Sequence, residues 1–367
     1  MDSTKKNYIR WRDLLMQVFK EISSRKEICL IDKLPERVEY QKNSPAIWYF
    51  TKGNGVESCC IKCNNPRCLS FSKQEVAFNY LDNFTYDTST TVCPSGALQW
   101  DEKSEMPVIL QEKCIHCGLC IRRCPVGAIY EDQTKSEIKV SSNKKANISS
   151  VPVTKANVLA QQENISQLCK VKRTGMLIVE TDDVLEQIYD KISALLSNND
   201  YNLFVRNLFL SLNCKCAVSR VGDVYTRMDA VYSTNNRDSF GVIEVEFGKD
   251  TLDASRGVLD DIAVLNARYG IPKEKNDAVV VCLQLPNARQ GYWQVIKDVL
   301  TVENLPISTI TVGALLILMW NFKSFNLKEH SYYADYDNMS IREALKDHIG
   351  RQIALSDKTQ GILEPQK

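Results

Sequence analysis

One cysteine pattern constrains this chain more than any other feature of its sequence. Nine of the 14 cysteines lie between Cys59 and Cys124. The last four of them form the pattern C-x2-C-x2-C-x3-C-P, which begins at Cys114. Three thiolates at this spacing wrap around one metal–sulfur cluster, while the fourth, held before a proline, reaches a second cluster. The pattern therefore requires another three-cysteine loop and another Cys-Pro pair elsewhere in the chain.

Both required parts are present. Cys60, Cys63 and Cys68 supply the second loop, and Cys93, which precedes a proline, supplies the lone cysteine. The chain also repeats itself after each Cys-Pro, as CPSGAL from Cys93 and CPVGAI from Cys124. A zinc ribbon of two C-x2-C pairs would explain four cysteines but not this repeat, so the pattern favours clusters over zinc.

The block from Cys59 to Tyr130 resembles the bacterial-type ferredoxins, which hold two [4Fe–4S] clusters. That resemblance implies crossed ligation, with one cluster on Cys60, Cys63, Cys68 and Cys124 and the other on Cys114, Cys117, Cys120 and Cys93. The first half departs from the family pattern, because four residues separate Cys63 from Cys68 and 24 separate Cys68 from Cys93. Either Cys59 or Cys60 could be the first ligand, and His116 is expected to be an exposed loop residue.

Composition limits the class of protein. The 367 residues are 44% hydrophobic and 25% charged, and the formal net charge of +1 gives no global sign of nucleic-acid or membrane binding. The N-terminus lacks an apolar signal segment, and the longest apolar run, Ile307–Trp320, is shorter than the ~20 residues that span a bilayer. We therefore expect a cytoplasmic protein whose cysteines serve metal or redox chemistry instead of disulfides.

Changes in composition predict five segments along the chain. They are an N-terminal helix and strand segment at 1–47, a dicluster ferredoxin-like domain at 48–130, a basic polar linker at 131–173, an α/β domain at 174–325 and a helical tail at 326–367. Within the first segment, hydrophobic periodicity predicts a helix over Tyr8–Ser23.

Beyond the linker, periodicity predicts elements in the order α-β-β-β-α-β-α. The predicted helices are Val184–Leu196, Tyr201–Leu212, Leu252–Tyr269 and Trp293–Val302, and the predicted strands are Lys215–Arg220, Val224–Ser233, Phe240–Phe247 and Ala278–Leu285. Ile307–Trp320 could be a strand or a buried helix, and Ser340 begins a predicted capping box for a last helix that ends at Gly350. This order predicts an α/β sandwich, so the overall fold class is α+β with an α/β domain.

Three carboxylates are expected to converge in this second domain. Glu244 and Glu246 are two residues apart on a strand and therefore share a face, and Asp229 lies near them if the two strands pair. Such groups repel one another unless a cation lies among them, and oxygen ligands suit Mg²⁺ or Mn²⁺. Asp229, Glu244 and Glu246 are therefore the candidate ligands of such an ion, which activates water and stabilises charge on a phosphate.

These residues resemble the motif of the restriction-endonuclease superfamily, the PD-(D/E)xK nucleases, over residues 182–285. The resemblance implies an αβββαβ core in which Asp229 and Glu244 hold the metal ion. Glu246 occupies the position where the family usually has lysine, so Lys249 is the candidate substitute. Glu186, on the preceding helix, is the candidate fourth carboxylate.

The sequence therefore predicts a Mg²⁺-dependent endodeoxyribonuclease with two [4Fe–4S] clusters, DNA as a partner and a protein partner in a multi-subunit system. One alternative is a ferredoxin-type electron-transfer protein whose α/β domain docks a redox partner. Another is a catalytically inactive nucleic-acid-binding subunit. The acidic face of Asp229, Glu244 and Glu246 distinguishes the nuclease from the electron carrier, which does not need such a face. The presence of Glu246 at the lysine position is the feature that distinguishes an active nuclease from the inactive subunit.

Overall fold

The computed structural model describes a defined part of the chain. It covers residues 27–30, 60, 66–104, 106–124, 127–132, 136–140, 149–152, 178–222, 228–234, 239–248, 251–358 and 360–367, with the backbone alone for 27–30 and 149–152. The predicted helix Tyr8–Ser23 and the candidate residues Cys59, Cys63 and Lys249 lie outside these residues.

The chain divides into two compact units. Unit 1 comprises residues 1–71 and 91–178, and unit 2 comprises residues 72–90 and 179–367. The segment between Cys68 and Cys93 therefore contributes its residues 72–90 to unit 2. The boundaries expected from composition placed it in the ferredoxin-like domain, because composition does not show which sheet a connecting segment packs against.

Unit 1 is built from short elements, namely strands β1 (Glu27–Leu30), β2 (Leu98–Asp101), β3 (Met106–Ile109), β4 (Ile129–Asp132), β5 (Glu137–Val140) and β6 (Ser149–Pro152) and helix α1 (Leu119–Arg123). The strands form three antiparallel pairs, β1 with β6, β2 with β3 and β4 with β5. Helix α1 follows Gly118, whose φ of 77° is a left-handed conformation that favours glycine.

Strands β5 and β6, with the end of β4, lie in the region expected to be a solvated linker. Ile138 of β5 is 1% exposed, and it alternates with polar neighbours in the manner of a strand with one buried face. The basic composition of residues 131–173 gave no indication of this buried apolar position. The described part of the region is therefore ordered as strands.

In the described residues, unit 2 contains a five-stranded sheet and six helices that are longer than the single turn Lys73–Val76. The strands are β7 (Cys214–Val218), β8 (Ala230–Thr234), β9 (Phe240–Glu246), β10 (Asp277–Cys282) and β11 (Ile307–Thr311). The helices are α2 (Asp182–Leu195), α3 (Asn198–Ser211), α4 (Leu252–Tyr269), α5 (Gly291–Glu303), α6 (Val312–Trp320) and α7 (Arg342–Ile349). The predicted α-β-β-β-α-β order is present from α3 to β10.

The strands follow one another across the sheet in chain order, from β7 at one edge to β11 at the other. Strand β8 runs antiparallel to β7 and β9, while β9, β10 and β11 are parallel. The parallel strands are connected through α4 and α5, as parallel pairing requires a crossover. Helix α4 packs against β9 and β10, and α3 packs against β7.

Two predicted local features differ in the structure. The run from Ile307 to Trp320 is both a strand and a helix, because Thr311 ends β11 and its Oγ1 accepts a hydrogen bond from the N–H of Ala314. Ser340 does not cap α7, whose first flanking residue is Ile341. Among the described helices, none combines the length and apolar composition needed to cross a bilayer.

Residues 72–90 are held at the β7 edge of the unit 2 sheet. Tyr86 forms a bridge with Ser219, and the N–H of Asp87 donates to the carbonyl of Val218 at 2.9 Å. Arg206 of α3 is 1% exposed and donates through Nη1 to Oδ1 of Asp87 at 3.3 Å. Both backbone pairing and a charged hydrogen bond therefore fix this segment.

Candidate functional site

Three cysteines of the second motif share a cavity in unit 1 with the lone cysteine of the first half. Cys114, Cys117 and Cys120 lie on the turn before and at the start of α1, and Cys93 lines the same cavity. The charge of Cys93 acts on the pKa values of both Cys117 and Cys120. The four candidate ligands of one cluster are therefore brought together.

The last cysteine of the motif lies near the other loop. The charges of Cys124 and Cys60 both act on the pKa of Cys68. Cys124 is only four residues from Cys120 in sequence, yet α1 carries it to the partner cysteines of the first half. The described cysteines are thus grouped as crossed ligation requires, and their ligation of iron stays a prediction.

Burial shapes the chemistry of these thiols. It raises the pKa of Cys117, Cys120 and Cys68, and the charges of neighbouring cysteines raise them further. Several thiolates packed together out of water are stable only when cations lie among them, and metal binding releases their protons. The donor set fits an iron–sulfur cluster, in which cysteine thiolates hold the iron.

Arg123 supports the loop that carries Cys68, a role that no sequence pattern indicated. Its side chain is 3% exposed, and its Nε donates to the carbonyl of Arg67 at 2.8 Å. Its guanidinium also lies 4.0 Å from the ring centre of Phe71. Burial raises the pKa of the Cys68 thiol above its ordinary value, and the positive charge of Arg123 opposes part of that rise.

The expectation that His116 is exposed is wrong. The residue is 7% exposed, and its Nε2 lies 2.7 Å from Oε1 of Glu131 on β4. Its φ of 61° turns the loop so that the imidazole faces the hairpin instead of water. His116 therefore fixes the cysteine loop to the β4–β5 pair.

In unit 2, Asp229 is held in place by two hydrogen bonds. Its Oδ1 accepts from Nδ2 of Asn202 on α3 at 2.9 Å, and its Oδ2 accepts from the N–H of Val245 on β9 at 3.0 Å. The register pairs Ala230 with Ile243, so Asp229 lies opposite Glu244 where β8 begins. The structure thus brings Asp229 and Glu244 together, while their role stays a prediction, and Asn202 is an addition that the sequence did not indicate.

The Glu244 side chain lies against α4. A Cβ built on Gly257 would come within 2.5 Å of Oε1 of Glu244, so the carboxylate occupies the space that this glycine leaves open. Burial raises the pKa of Glu244 to about 8, and the charges of Asp229, Glu246 and Asp260 add to the rise. An uncompensated carboxylate here is therefore protonated near neutral pH.

Asp261 is a further member of this group, and the sequence analysis missed it. It is 2% exposed and lies four residues after Gly257, which places both residues on one face of α4. Burial and then the charges of Glu244 and Asp229 raise its pKa to about 9. Its Oδ2 is buried without a hydrogen-bond partner in the described structure. One signal could have identified Asp261. It is an acidic residue on the helix that follows β9, at a position that faces the carboxylates of that strand.

The other two described residues that were predicted for this site, Glu246 and Glu186, lie at its edge or outside it. Glu246 is half-buried, and its Oε1 accepts the N–H of Gly248 at 2.6 Å, although its charge still acts on Glu244. Glu186 is exposed on α2 and takes no part in the group of Asp229, Glu244 and Asp261. We call those three residues the acidic cluster.

The acidic cluster is chemically compatible with a divalent cation, but its side chains do not form a ready-made metal site. In the residues that the structure describes, no three His, Cys, Asp or Glu side chains are arranged to hold a metal ion. Mg²⁺ needs only one or two carboxylates, since water and substrate phosphates complete its octahedral shell. The oxygen donors and the orphaned Oδ2 of Asp261 suit such an ion.

A cavity of about 390 Å³ opens at the carboxyl ends of β9 and β10. Phe247 and Gly248, which follow Glu246, form one side, and Leu283 and Gln284 after β10 form another. Ligands in α/β sheets commonly bind beyond the carboxyl ends of parallel strands. The residues that line this cavity do not include Asp229, Glu244 or Asp261, so the cavity lies beyond the end of β9 and not at the acidic group itself.

Comparison with known proteins identifies the cysteine block. Residues 107–130 match the family model of the 4Fe-4S binding domain. The chain therefore contains a ferredoxin-type 4Fe–4S domain, which confirms that part of the prediction. No solved structure matches the chain.

Two curated relatives are similar to part of this chain. An uncharacterized ferredoxin of Methanocaldococcus jannaschii is 28% identical over 79 residues, which are 22% of this chain and 37% of the relative. The polyferredoxin-like subunit of an aliphatic sulfonate oxidoreductase from Pyrococcus furiosus is 52% identical over 73 residues, which are 20% of this chain and 30% of the relative. The chain thus matches about a third of the length of these relatives, and neither is described as a nuclease.

Proposed function

We propose that this chain is a two-cluster, ferredoxin-type electron carrier, the first of the two alternatives to a nuclease. The observation that carries this proposal is the crossed grouping of the cysteines, with Cys93 beside Cys117 and Cys120 and with Cys124 beside Cys68. Two clusters whose ligands share one short helix would lie close enough to exchange electrons. The 4Fe-4S domain match and both ferredoxin-type relatives support the same function.

The partner is proposed to be another protein of an oxidoreductase system. The Pyrococcus furiosus relative is a subunit of an oxidoreductase, which supports a role for this chain in a multi-subunit assembly. Unit 2 would then serve to dock the redox partner. DNA receives no comparable support.

Electron transfer is tested with anaerobically prepared protein that is reduced with dithionite and then freed of excess reductant, because dithionite itself reduces cytochrome c. The reduced wild type should pass its electrons to oxidised cytochrome c. The Cys117→Ala variant, which lacks a candidate ligand of one cluster, should deliver fewer electrons per chain. Clusters that stay in one oxidation state under these conditions would show that they only stabilise the fold.

A second function is proposed for unit 2, namely metal-dependent cleavage of phosphodiester bonds. The specific observation that favours it is the placement of Asp229 opposite Glu244 on neighbouring strands of a sheet with sequential strand order. That order and the single antiparallel strand β8 are consistent with the predicted αβββαβ restriction-endonuclease-like core. A strand that only docks a partner has no need to bury these carboxylates.

In this second function, Asp229 and Glu244 would bind Mg²⁺ or Mn²⁺. The ion would activate water and stabilise charge on the phosphate. Asn202 and the N–H of Val245 hold Asp229 in position, and Gly257 leaves space for Glu244. Protein with intact clusters should cut DNA with Mg²⁺ or Mn²⁺, and Asp229→Asn should lower the rate about a hundredfold or more. Glu186→Gln, at an exposed position, is the control. DNA binding without cleavage by the wild type would instead indicate an inactive nucleic-acid-binding subunit.

A further inference from the structure

The buried carboxylate of Asp261 lacks a compensating group in the described structure. Its side chain is 2% exposed, and Oδ2 has no hydrogen-bond partner there. Buried polar atoms of native proteins are almost always satisfied by protein groups, water or ions. This atom therefore points to something that binds in the folded protein.

The surroundings of Asp261 show what that group is. The charges that act on it come from Glu244, Asp229 and Asp260, all of which are negative. Like charges at such a position disfavour a bound anion and attract a cation. Carboxylate oxygens in this number suit a hard divalent ion such as Mg²⁺ or Mn²⁺.

The backbone places Asp261 where it can share an ion with Glu244. Gly257 and Asp261 lie one turn apart on α4, and the Glu244 carboxylate rests against Gly257. Any larger residue at position 257 would displace that carboxylate. The helix therefore presents both an open space for Glu244 and a second carboxylate beside it.

Glu246 is less suited to this role. Its Oε1 already accepts the N–H of Gly248, and its side chain is more exposed than that of Asp261. Asp229 is also hydrogen-bonded through both oxygens, although each carboxylate oxygen keeps a further lone pair. Among the acidic side chains described here, Asp261 is the one with a wholly unsatisfied buried oxygen.

We propose that Asp261 shares a divalent cation with Glu244 in unit 2, in the role that the sequence assigned to Glu246. The inference deepens the second proposed function, because it names a further residue of the same site. It does not depend on electron transfer by unit 1.

The test is Mn²⁺ binding by the full cluster-loaded protein, with free Mn²⁺ measured from its EPR signal. The wild type should bind one ion, and Asp261→Asn should bind it at least about tenfold more weakly. Mutation of residues that only support metal ligands already lowers metal affinity by this much. Asp260→Asn removes the same charge from the exposed neighbour and should change the affinity by no more than about twofold. Equal affinities of Asp261→Asn and the wild type, or no binding by the wild type, would overturn the proposal.

Two further measurements separate the possible failures. If Asp261→Asn does not fold, anomalous scattering from Mn²⁺ in crystals of the wild type should place the ion within coordination distance of Asp261, and an ion elsewhere overturns the proposal. Mn²⁺ binding that depends on Asp261, in a protein that cleaves no DNA, would support the cation site and contradict phosphodiester cleavage.

Discussion

The N–H of Ala128 donates a hydrogen bond to Sγ of Cys124 at 3.2 Å. Cys124 ends the motif that begins at Cys114, but its charge acts on Cys68 of the other half. Hydrogen bonds to cluster sulfurs are one means by which proteins set reduction potentials. If Cys124 ligates the cluster of the other half, this hydrogen bond would contribute to the reduction potential of that cluster.

Replacement of Cys124 tests the crossed arrangement. Cys124→Ala should remove the cluster on Cys60 and Cys68 and leave the one on its own motif, so iron should fall from about eight to about four per chain. Iron and sulfide analysis with EPR of the reduced protein measures this. The control is Cys216→Ala, a buried cysteine of β7 in unit 2, which should retain the full complement. Loss of the cluster on Cys114, Cys117 and Cys120 instead would mean that ligation is not crossed.

The cysteine grouping was predictable because cluster ligation follows strict spacing rules. The motif from Cys114 and the Cys-Pro pair at Cys93 specified which sulfurs meet. The roles of Arg123 and His116 were not predictable in the same way. Both depend on contacts with Arg67 and Glu131, which are distant in sequence, and on a positive φ at His116.

The ion pair between Arg206 and Asp87 should contribute to the stability of unit 2. Asp87→Ala leaves the buried guanidinium of Arg206 without its carboxylate, so the free energy of unfolding should fall by about 1.5–3 kcal/mol. Urea unfolding measures this change, and hydrogen exchange should rise in residues 72–90. Asp82→Ala changes an exposed residue of the same segment and should have little effect. An equal effect of both variants would assign no special role to the ion pair.

Gly257→Ala should separate stability from cation binding. Alanine favours a helix over glycine by about 1 kcal/mol, and the atom that it meets is the mobile end of Glu244. We therefore expect little loss of thermal stability but weaker Mn²⁺ binding, because the carboxylate must move. Gly291→Ala, at a helix position with open space, is the matched control and should leave Mn²⁺ affinity unchanged. Unchanged Mn²⁺ affinity in Gly257→Ala would show that the position of Glu244 is not needed.

The acidic cluster should make the metal-free protein less stable at high pH. Folding raises the pKa of Glu244 from 4.5 to about 8 and that of Asp261 from 3.8 to about 9. The folded state therefore holds more protons than the unfolded chain, and the free energy of unfolding falls as pH rises through this window. Calorimetry without divalent cations should show the fall, and Asp261→Asn should reduce it. A melting temperature that stays constant from pH 5 to pH 9 in the wild type would contradict the assigned burial.

In unit 2, periodicity predicted α4, the order of the strands and the one strand, β9, that carries both Glu244 and Glu246. It could not predict Asp261 or Asn202, because their part in the site depends on how α4 and α3 pack against the sheet. The linker prediction over 131–173 differed from the structure for a related reason. Two buried side chains, Ile129 and Ile138, lie on the two strands of a hairpin whose other residues are mostly polar.

Unit 1 is proposed to hold two redox-active clusters with crossed ligation. A potentiometric titration of anaerobically purified protein, followed by EPR, tests this, with iron and sulfide counted in the same sample. We expect about eight iron and eight sulfide per chain and two clusters that each accept one electron reversibly. Stoichiometric zinc without sulfide, a single cluster, or two clusters that accept no electron between about −700 and +450 mV would contradict it.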